Sequence, residues 1–329
     1  MATIARPKRR SRGPLAAEDA IAGWIFIAPA LVIFLTFIFG PVLYAFYVSF
    51  FERDAIGSLN NFVGFDNYVH IVTENRDFWK AFRNTAWFSA VVVPLQTAIG
   101  LILAVLANRK IRGKAFFRTA FYFPSISSSV VIAIIFVWLY NKNGLLVFLL
   151  TKLGFDEPRR AWLADPRGLI EVTLGGLGWS NVPDWLAGPS VALVSIMMLN
   201  VWTTIGTMMV IFLAGLQDVP NDVYEAASLD GASRWRQFRD ITVPLIRPVT
   251  LFVVTIGLIG TFQVFDQIYI MSEGGPNKTT TTLAYLVYTE GFRFGNGTGY
   301  ASAIATILFG VIFLLFLIQR RLVGQSEAR

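Results

Sequence analysis

Charged residues fall along this chain in clusters, and between the clusters run long stretches that carry none. Residues 20–51 are free of charge throughout, and five further charge-free stretches of at least 18 residues follow. A helix rising 1.5 Å per residue needs about 20 apolar residues to cross a bilayer. Drawn generously, the runs cover residues 20–51, 84–108, 119–141, 185–217, 248–272 and 294–319. Backbone amides facing hydrocarbon must be paired within their own segment, so each run is expected to be a helix. The pattern predicts an all-α, polytopic integral membrane protein with six transmembrane helices. Runs 20–51 and 185–217 exceed what a bilayer needs, so part of each is flanking structure or tilt.

A basic preface at residues 6–12 and the apolar run behind it resemble a secretory signal, and Arg9-Arg10 a twin-arginine one. The run is far longer than a cleavable core, and no small-residue cleavage site follows promptly, so it reads as a retained helix. Orientation comes from lysine and arginine. The segments 1–19, 109–118, 218–247 and 320–329 hold 17 of them in 69 residues, against 11 in the 96 residues of the opposite loops. The positive-inside rule therefore puts both termini in the cytoplasm. Residues 109–118, with Arg109, Lys110, Arg112, Lys114 and Arg118 and no acid, weigh most. The expected layout is a cytoplasmic tail over 1–19, a first helix and external loop over 20–83, a transmembrane domain over 84–321 and a cytoplasmic tail over 322–329.

Composition narrows the chemistry. Charged residues make up 15% of the chain, where about a quarter is usual in soluble domains. With no cysteine and one histidine, His70, the chain excludes disulfides, thiol catalysis, Cys-zinc sites and His-based metal clusters. Gly113-Lys114 is followed by Ala115, so phosphate-loop spacing is missing. The net charge of +7 lies beside the spans, which makes it a topology signal rather than a nucleic-acid footprint. No catalytic role is expected of the chain. The external loop 142–184 opens an echo, Trp162-Leu-Ala-Asp-Pro166 and Trp185-Leu-Ala-Gly-Pro189, which reads equally as a partner-facing duplication or as two interfacial turns. The other tryptophans, Trp24, Trp79, Trp138 and Trp179 among them, suit interfacial positions.

The cytoplasmic loop 218–247 is the most informative segment. Asp222 and Glu225 stand three apart, like a capping box, and open a helix after Pro220. Ala226, Ala227 and Leu229 extend it, Gly231 stops it, and Ser233 can cap a second short helix that Val243-Pro244 ends. The result is a helix–turn–helix knob between two spans. Glu225, Ala226, Ala227, Asp230, Gly231, Ile241 and Pro244 stand at the spacing of the EAA loop, and here the chain resembles bacterial ABC importer permeases of the type I fold. Val243 replaces the usual leucine. The resemblance extends over about 84–321. Phe265 to Pro276, Thr282-Leu283, Gly299 to Ala303, Asn200-Val-Trp202 and Leu213 to Leu216 are similar to the maltose-type, MalF-like sugar permeases. That resemblance implies a multi-pass protein of the bacterial inner membrane that moves a sugar or glycerol-phosphate-like solute by alternating access. It also implies a MalG-like second permease, an ATPase pair carrying ATP and magnesium, and an external sugar-binding protein. In the family the EAA loop docks into the ATPase.

A sugar in transit must keep its hydroxyls hydrogen-bonded, because an unpaired one costs about 1–3 kcal/mol. Asn200, Thr203, Thr204 and Thr207 lie at i, i+3, i+4 and i+7, one stripe of neutral polar groups on the fourth span. The same spacing in the fifth span selects Gly257, Gly260, Thr261 and Val264. A pathway wall and helix-to-helix adhesion both fit such stripes. The MalF-like resemblance favours the pathway, since Asn200 matches a family asparagine that contacts sugar. Asp266 is the one acid within a run and sits about 27 Å along its helix from Pro248, near the outer interface. There water, Gln263 or Gln267 can satisfy it, which favours a structural role. Two other readings stand beside the importer. A proton-coupled secondary transporter would use Asp266, and a membrane enzyme would need convergent acids or histidines that this chain does not supply.

Overall fold

The computed structural model describes residues 14–53, 59–109, 112–154, 162–176, 183, 186–293 and 297–324. The basic residues of the N-terminal tail, Lys110, Trp179, Trp185 and residues 325–329 lie outside that set. Four described helices are long and apolar enough to cross a membrane: Ala20–Val48, Arg76–Asn108, Val191–Gln217 and Gly297–Arg321. Two bent pairs bring the number to six if each counts as one span: Lys114–Ile126 with Ser129–Leu139, and Arg234–Leu245 with Arg247–Phe262. The helical, polytopic character follows the hydropathy; the straightness of the spans does not.

The third span turns by 96° between Ile126 and Ser129. Ser127 is extended there (φ −80°, ψ 153°). The local sequence is Pro-Ser-Ile-Ser-Ser-Ser, and serine hydroxyls bind nearby carbonyls in place of the helical ladder. Ser127 Oγ donates to Phe123 O at 3.0 Å, and Ser125 Oγ donates across to Thr203 O at 2.6 Å. The fifth span ends at Phe262, well short of the expected residue 272, and a separate helix, Asp266–Met271, follows. The freed carbonyl of Val264 accepts from Thr282 Oγ1 at 2.9 Å. Irregular backbone is tolerated at membrane depth where it lines a cavity, and Pro124, Ser125, Ser127, Ser129 and Gln267 line one.

Caps reset two other boundaries. The second span begins at Arg76 rather than 84, because Asn75 accepts the Phe78 amide at 2.9 Å. The fourth begins at Val191 rather than 185, where the Ser190 side chain accepts from the Leu193 amide. Immediately before it, residues 186–190 pair with 167–170: Gly168 bridges Ser190, and the Leu169 amide donates to Pro189 O at 2.9 Å. Leu186 to Pro189 of the second Trp-Leu-Ala echo thus lie against the residues that follow the first, whose Trp162–Ala164 forms a single 3-10 turn.

The core is built around the fourth span, whose Leu193, Ile196, Leu199, Met209 and Phe212 are fully buried. It packs on Phe88, Val92 and Leu103 of the second span. In a bilayer such contacts gain little from the hydrophobic effect, since lipid is as apolar as leucine; close packing and hydrogen bonds hold the helices together. At the end opposite the 218–247 loop a smaller cluster joins Phe78 and Ala81 to Leu283, Leu286, Tyr300 and Ile304. Asn84 Nδ2 donates there to Thr281 O at 2.9 Å, and Lys278 pairs with Asp77. A two-stranded antiparallel ribbon, Phe51–Arg53 with Leu59–Phe62, follows the first span in register Phe51↔Phe62 and Glu52↔Asn61. The most apolar stretch of the first span is wholly unburied, while its end, Gly40–Val48, packs against the last span.

Candidate functional site

A cavity of about 350 Å³ opens where the second, third, fourth and fifth spans meet. Its lining includes Asn200, Thr203, Thr204 and Thr207, together with Gly257, Gly260 and Thr261. Two stripes selected by spacing on separate helices thus face one space. Val264 does not join them. It lies beyond the end of the helix at Phe262, so the 3.6-residue period no longer governs it, and its side chain is buried in the core. The lining also includes Gln96, Ser125, Ser127, Ser129 and Gln267, which the stripes did not select. Each is a neutral polar residue inside an apolar run, and the serines sit at the break in the third span. No Asp, Glu, Lys or Arg is among the described residues that line the cavity.

Its hydrogen bonds define what the wall presents. Thr203 Oγ1 and Thr204 Oγ1 both donate to Asn200 O, at 2.9 and 2.8 Å. Thr204 shares its one proton with Gln96 Oε1, which accepts from Thr204 Oγ1 at 2.7 Å. Thr261 Oγ1 reaches Gly257 O at 2.9 Å and Ser89 Oγ at 3.0 Å. These hydroxyl protons are committed to the protein, so toward the cavity the threonines act as acceptors. Asn200 Nδ2 donates to Gln267 Oε1 at 2.9 Å. Asp266, expected to meet water, Gln263 or Gln267, accepts from Ser129 Oγ at 2.8 Å. That bond ties the first turn of Ser129–Leu139 to the first turn of Asp266–Met271, so the two helical breaks meet.

The second locus is the hairpin between the fourth and fifth spans. Its first helix, Asn221–Leu229, opens directly after Pro220, but Pro220 is the N-cap and no side-chain cap bond forms. Asp222 therefore stands in the first turn, where its charge suits the helix dipole, and the expected capping box does not close. Gly231 adopts φ +76°, in the left-handed region. The Gly231 amide donates to Ser228 O at 3.1 Å and the Ala232 amide to Ala227 O at 2.9 Å, the paired bonds of a Schellman motif. Ser233 caps the second arm, accepting from the Arg236 amide. That arm runs on as a π-helical turn, Phe238–Thr242, and then Val243–Leu245. Val243-Pro244 does not end it: the loosened turn just ahead accommodates Pro244, which has no amide proton to offer the helical ladder. The helix bends instead by 68° between Leu245 and Arg247, beside the buried Ile246.

The two arms are clamped. Gln237 Nε2 donates to Ser228 Oγ at 2.9 Å, and Tyr224 OH lies 3.0 Å from Thr242 Oγ1. Glu225, Ala226, Asp230, Gly231 and Pro244 are exposed, and Ala227 and Ile241 are half-buried. Leu229 and Trp235 are 90% and 69% exposed. Both are large apolar side chains on an otherwise polar hairpin, and spacing alone did not single out either one. A wider cleft of about 720 Å³, lined by Leu106, Arg109, Trp235 and Phe238 among others, separates the hairpin from the base of the second span.

Residues 96–325 match the family model described as binding-protein-dependent transport system inner membrane component. The probable ABC transporter permease protein YurN of Bacillus subtilis is 33% identical over 307 residues, covering 92% of this chain and 96% of that protein. The lactose transport system permease protein LacF of Rhizobium radiobacter is 31% identical over 312 residues, covering 94% and 96%. Among solved structures, a bacterial alginate ABC transporter, crystallised with its alginate pentasaccharide-bound periplasmic protein, contains a chain of like fold. The TM-score is 0.74 at 20% identity, over 96% of this chain and 98% of that one.

Proposed function

Since the chain belongs to the family of binding-protein-dependent transport system inner membrane components, we propose that it carries a neutral carbohydrate through the bilayer by alternating access. It is a membrane-embedded permease subunit of an ABC importer, and the ATPase is a separate subunit. The reading of the cargo rests on one observation above the rest, an open cavity between the spans whose polar lining is made of amides and hydroxyls, with no charged side chain among its described residues. Such a wall meets sugar hydroxyls with acceptors and offers nothing to compensate a phosphate or carboxylate. The lactose permease among the relatives points the same way.

In this reading Asn200, Thr203, Thr204, Thr207, Gly257, Gly260 and Thr261 line the route. Glu225 to Pro244 docks into the ATPase, with Leu229 and Trp235 as its apolar anchors. ATP and magnesium act on the ATPase pair, a MalG-like second permease completes the channel, and an external sugar-binding protein delivers the cargo. The transmembrane domain expected over residues 84–321 takes in the whole of the second span from Arg76, in a bacterial inner membrane with both termini in the cytoplasm.

The test is reconstitution of the complete complex in liposomes with lactose, maltose and trehalose as cargo. Uptake is expected to require both ATP and the loaded binding protein. Asn200→Leu is expected to lower uptake at least tenfold while ATPase assembly is retained; undiminished uptake would return the stripe to helix packing. Uptake driven by a proton gradient without ATP would instead favour the secondary-transporter reading through Asp266.

A further inference from the structure

We infer that Gln96 is a specificity-determining residue of this cavity, donating a hydrogen bond from Nε2 to an oxygen of the solute; the inference rests on the importer reading above. Gln96 lies 12 residues before the end of the second span at Asn108, about 18 Å into the helix, and lines the cavity with 1% of its surface exposed. One end of its amide is held by Thr204 Oγ1 at 2.7 Å. The other, Nε2, is fully buried and has no hydrogen-bond partner among the described residues. A buried amide nitrogen without a partner is costly and uncommon, and its persistence asks for a use.

Gly257 supplies the second observation. A Cβ built there would stand 2.4 Å from Gln96 Nε2, so the amide keeps its position only because residue 257 has no side chain. Glycine in a helix interior is itself unfavourable relative to alanine. Two unfavourable choices on two helices therefore meet at one atom, and both residues line the cavity. If Gln96 served only to join the second span to the fourth, its bond to Thr204 would suffice and the free nitrogen would be pure cost.

The chemistry fits a hydroxylated solute. Thr203, Thr204 and Thr261 direct their protons into the protein and face the cavity as acceptors. A sugar hydroxyl both accepts and donates, so one set beside Gln96 takes a proton from Nε2 and gives its own to a threonine oxygen. Nε2 thereby selects for an oxygen at one position of the ring, which size alone would not do.

The experiment uses the complete importer in liposomes. Uptake kinetics are measured for lactose, maltose and trehalose, and for the monodeoxy derivatives of whichever enters fastest. Gln96→Met keeps the volume and removes the donor. It is expected to lower kcat/KM for the parent sugar about 5- to 100-fold, with binding-protein-stimulated ATP hydrolysis retained. One monodeoxy sugar, already poor with the wild type by a similar factor, should lose nothing further in the variant. Gly257→Ala, which retains Gln96 but displaces its amide, should reproduce that pattern, and it decides alone if Gln96→Met fails to assemble. Unchanged uptake, or an equal loss for the parent and every deoxy sugar, overturns the role of Gln96. A wild-type complex that hydrolyses ATP with its loaded binding protein but imports no sugar overturns the carbohydrate reading itself. One that hydrolyses none overturns the importer reading.

Discussion

Thr204 shows how one hydroxyl can serve two helices. Its oxygen meets the carbonyl of Asn200 a turn back on its own helix and the amide of Gln96 on another. Thr204→Val removes the second contact and leaves Gln96 Oε1 without that partner, a loss of about 1–3 kcal/mol. It is expected to lower the melting temperature of the detergent-purified complex, with Thr204→Ser restoring most of it. The stripe containing Thr204 was legible in the sequence because helical geometry fixes which residues share a face, and four neutral polar side chains among Leu199, Val201, Ile205 and Met208 stand out. Gln96 was not. A single amide in Val-Val-Val-Pro-Leu-Gln-Thr-Ala has no period to give it away, and only the meeting of four spans reveals what it faces. Val264 erred the other way, since its spacing was right for a helix that had already ended.

Hydropathy counts residues without regard to direction, so it found the apolar runs and missed the bend within the third and the break within the fifth. The serine-rich stretch at residues 125–129 carried the needed signal, because hydroxyls that bind backbone carbonyls weaken a helix. The hairpin was legible down to its turn: Gly231 was expected to stop the first helix and does so in the left-handed region. Asp222 misled because its spacing to Glu225 suits a capping box, yet the N-cap falls two residues earlier, at Pro220. Gly231→Ala is expected to cost about 1–2 kcal/mol locally and to weaken ATPase coupling while leaving membrane insertion intact, as read by ATP hydrolysis in the complete importer. Leu229→Asp places a charge on the most exposed apolar side chain of the hairpin. It should abolish copurification of the ATPase subunit; normal recovery would argue against docking at this tip.

For the molecule as a whole, the order of spans and loops was readable, while the sparse packing of most of the first span was not. Its composition resembles that of the other spans, and only the folded chain shows how little it touches. The absence of native cysteine makes topology directly measurable. Ser228→Cys should react with a membrane-impermeant maleimide only in inverted vesicles, and Asn143→Cys only in intact cells; the opposite pattern would reverse the assigned orientation. The committed hydroxyls of the cavity bear on speed as well as on recognition. A conduit whose threonine protons are already spent within the wall, with the Gln96 amide as its one idle donor, holds a visitor loosely, so each passenger's dwell time is short and the first selection is made by the protein that captures it beforehand. A lining rich in idle donors would make a trap, and throughput would drop as affinity rose.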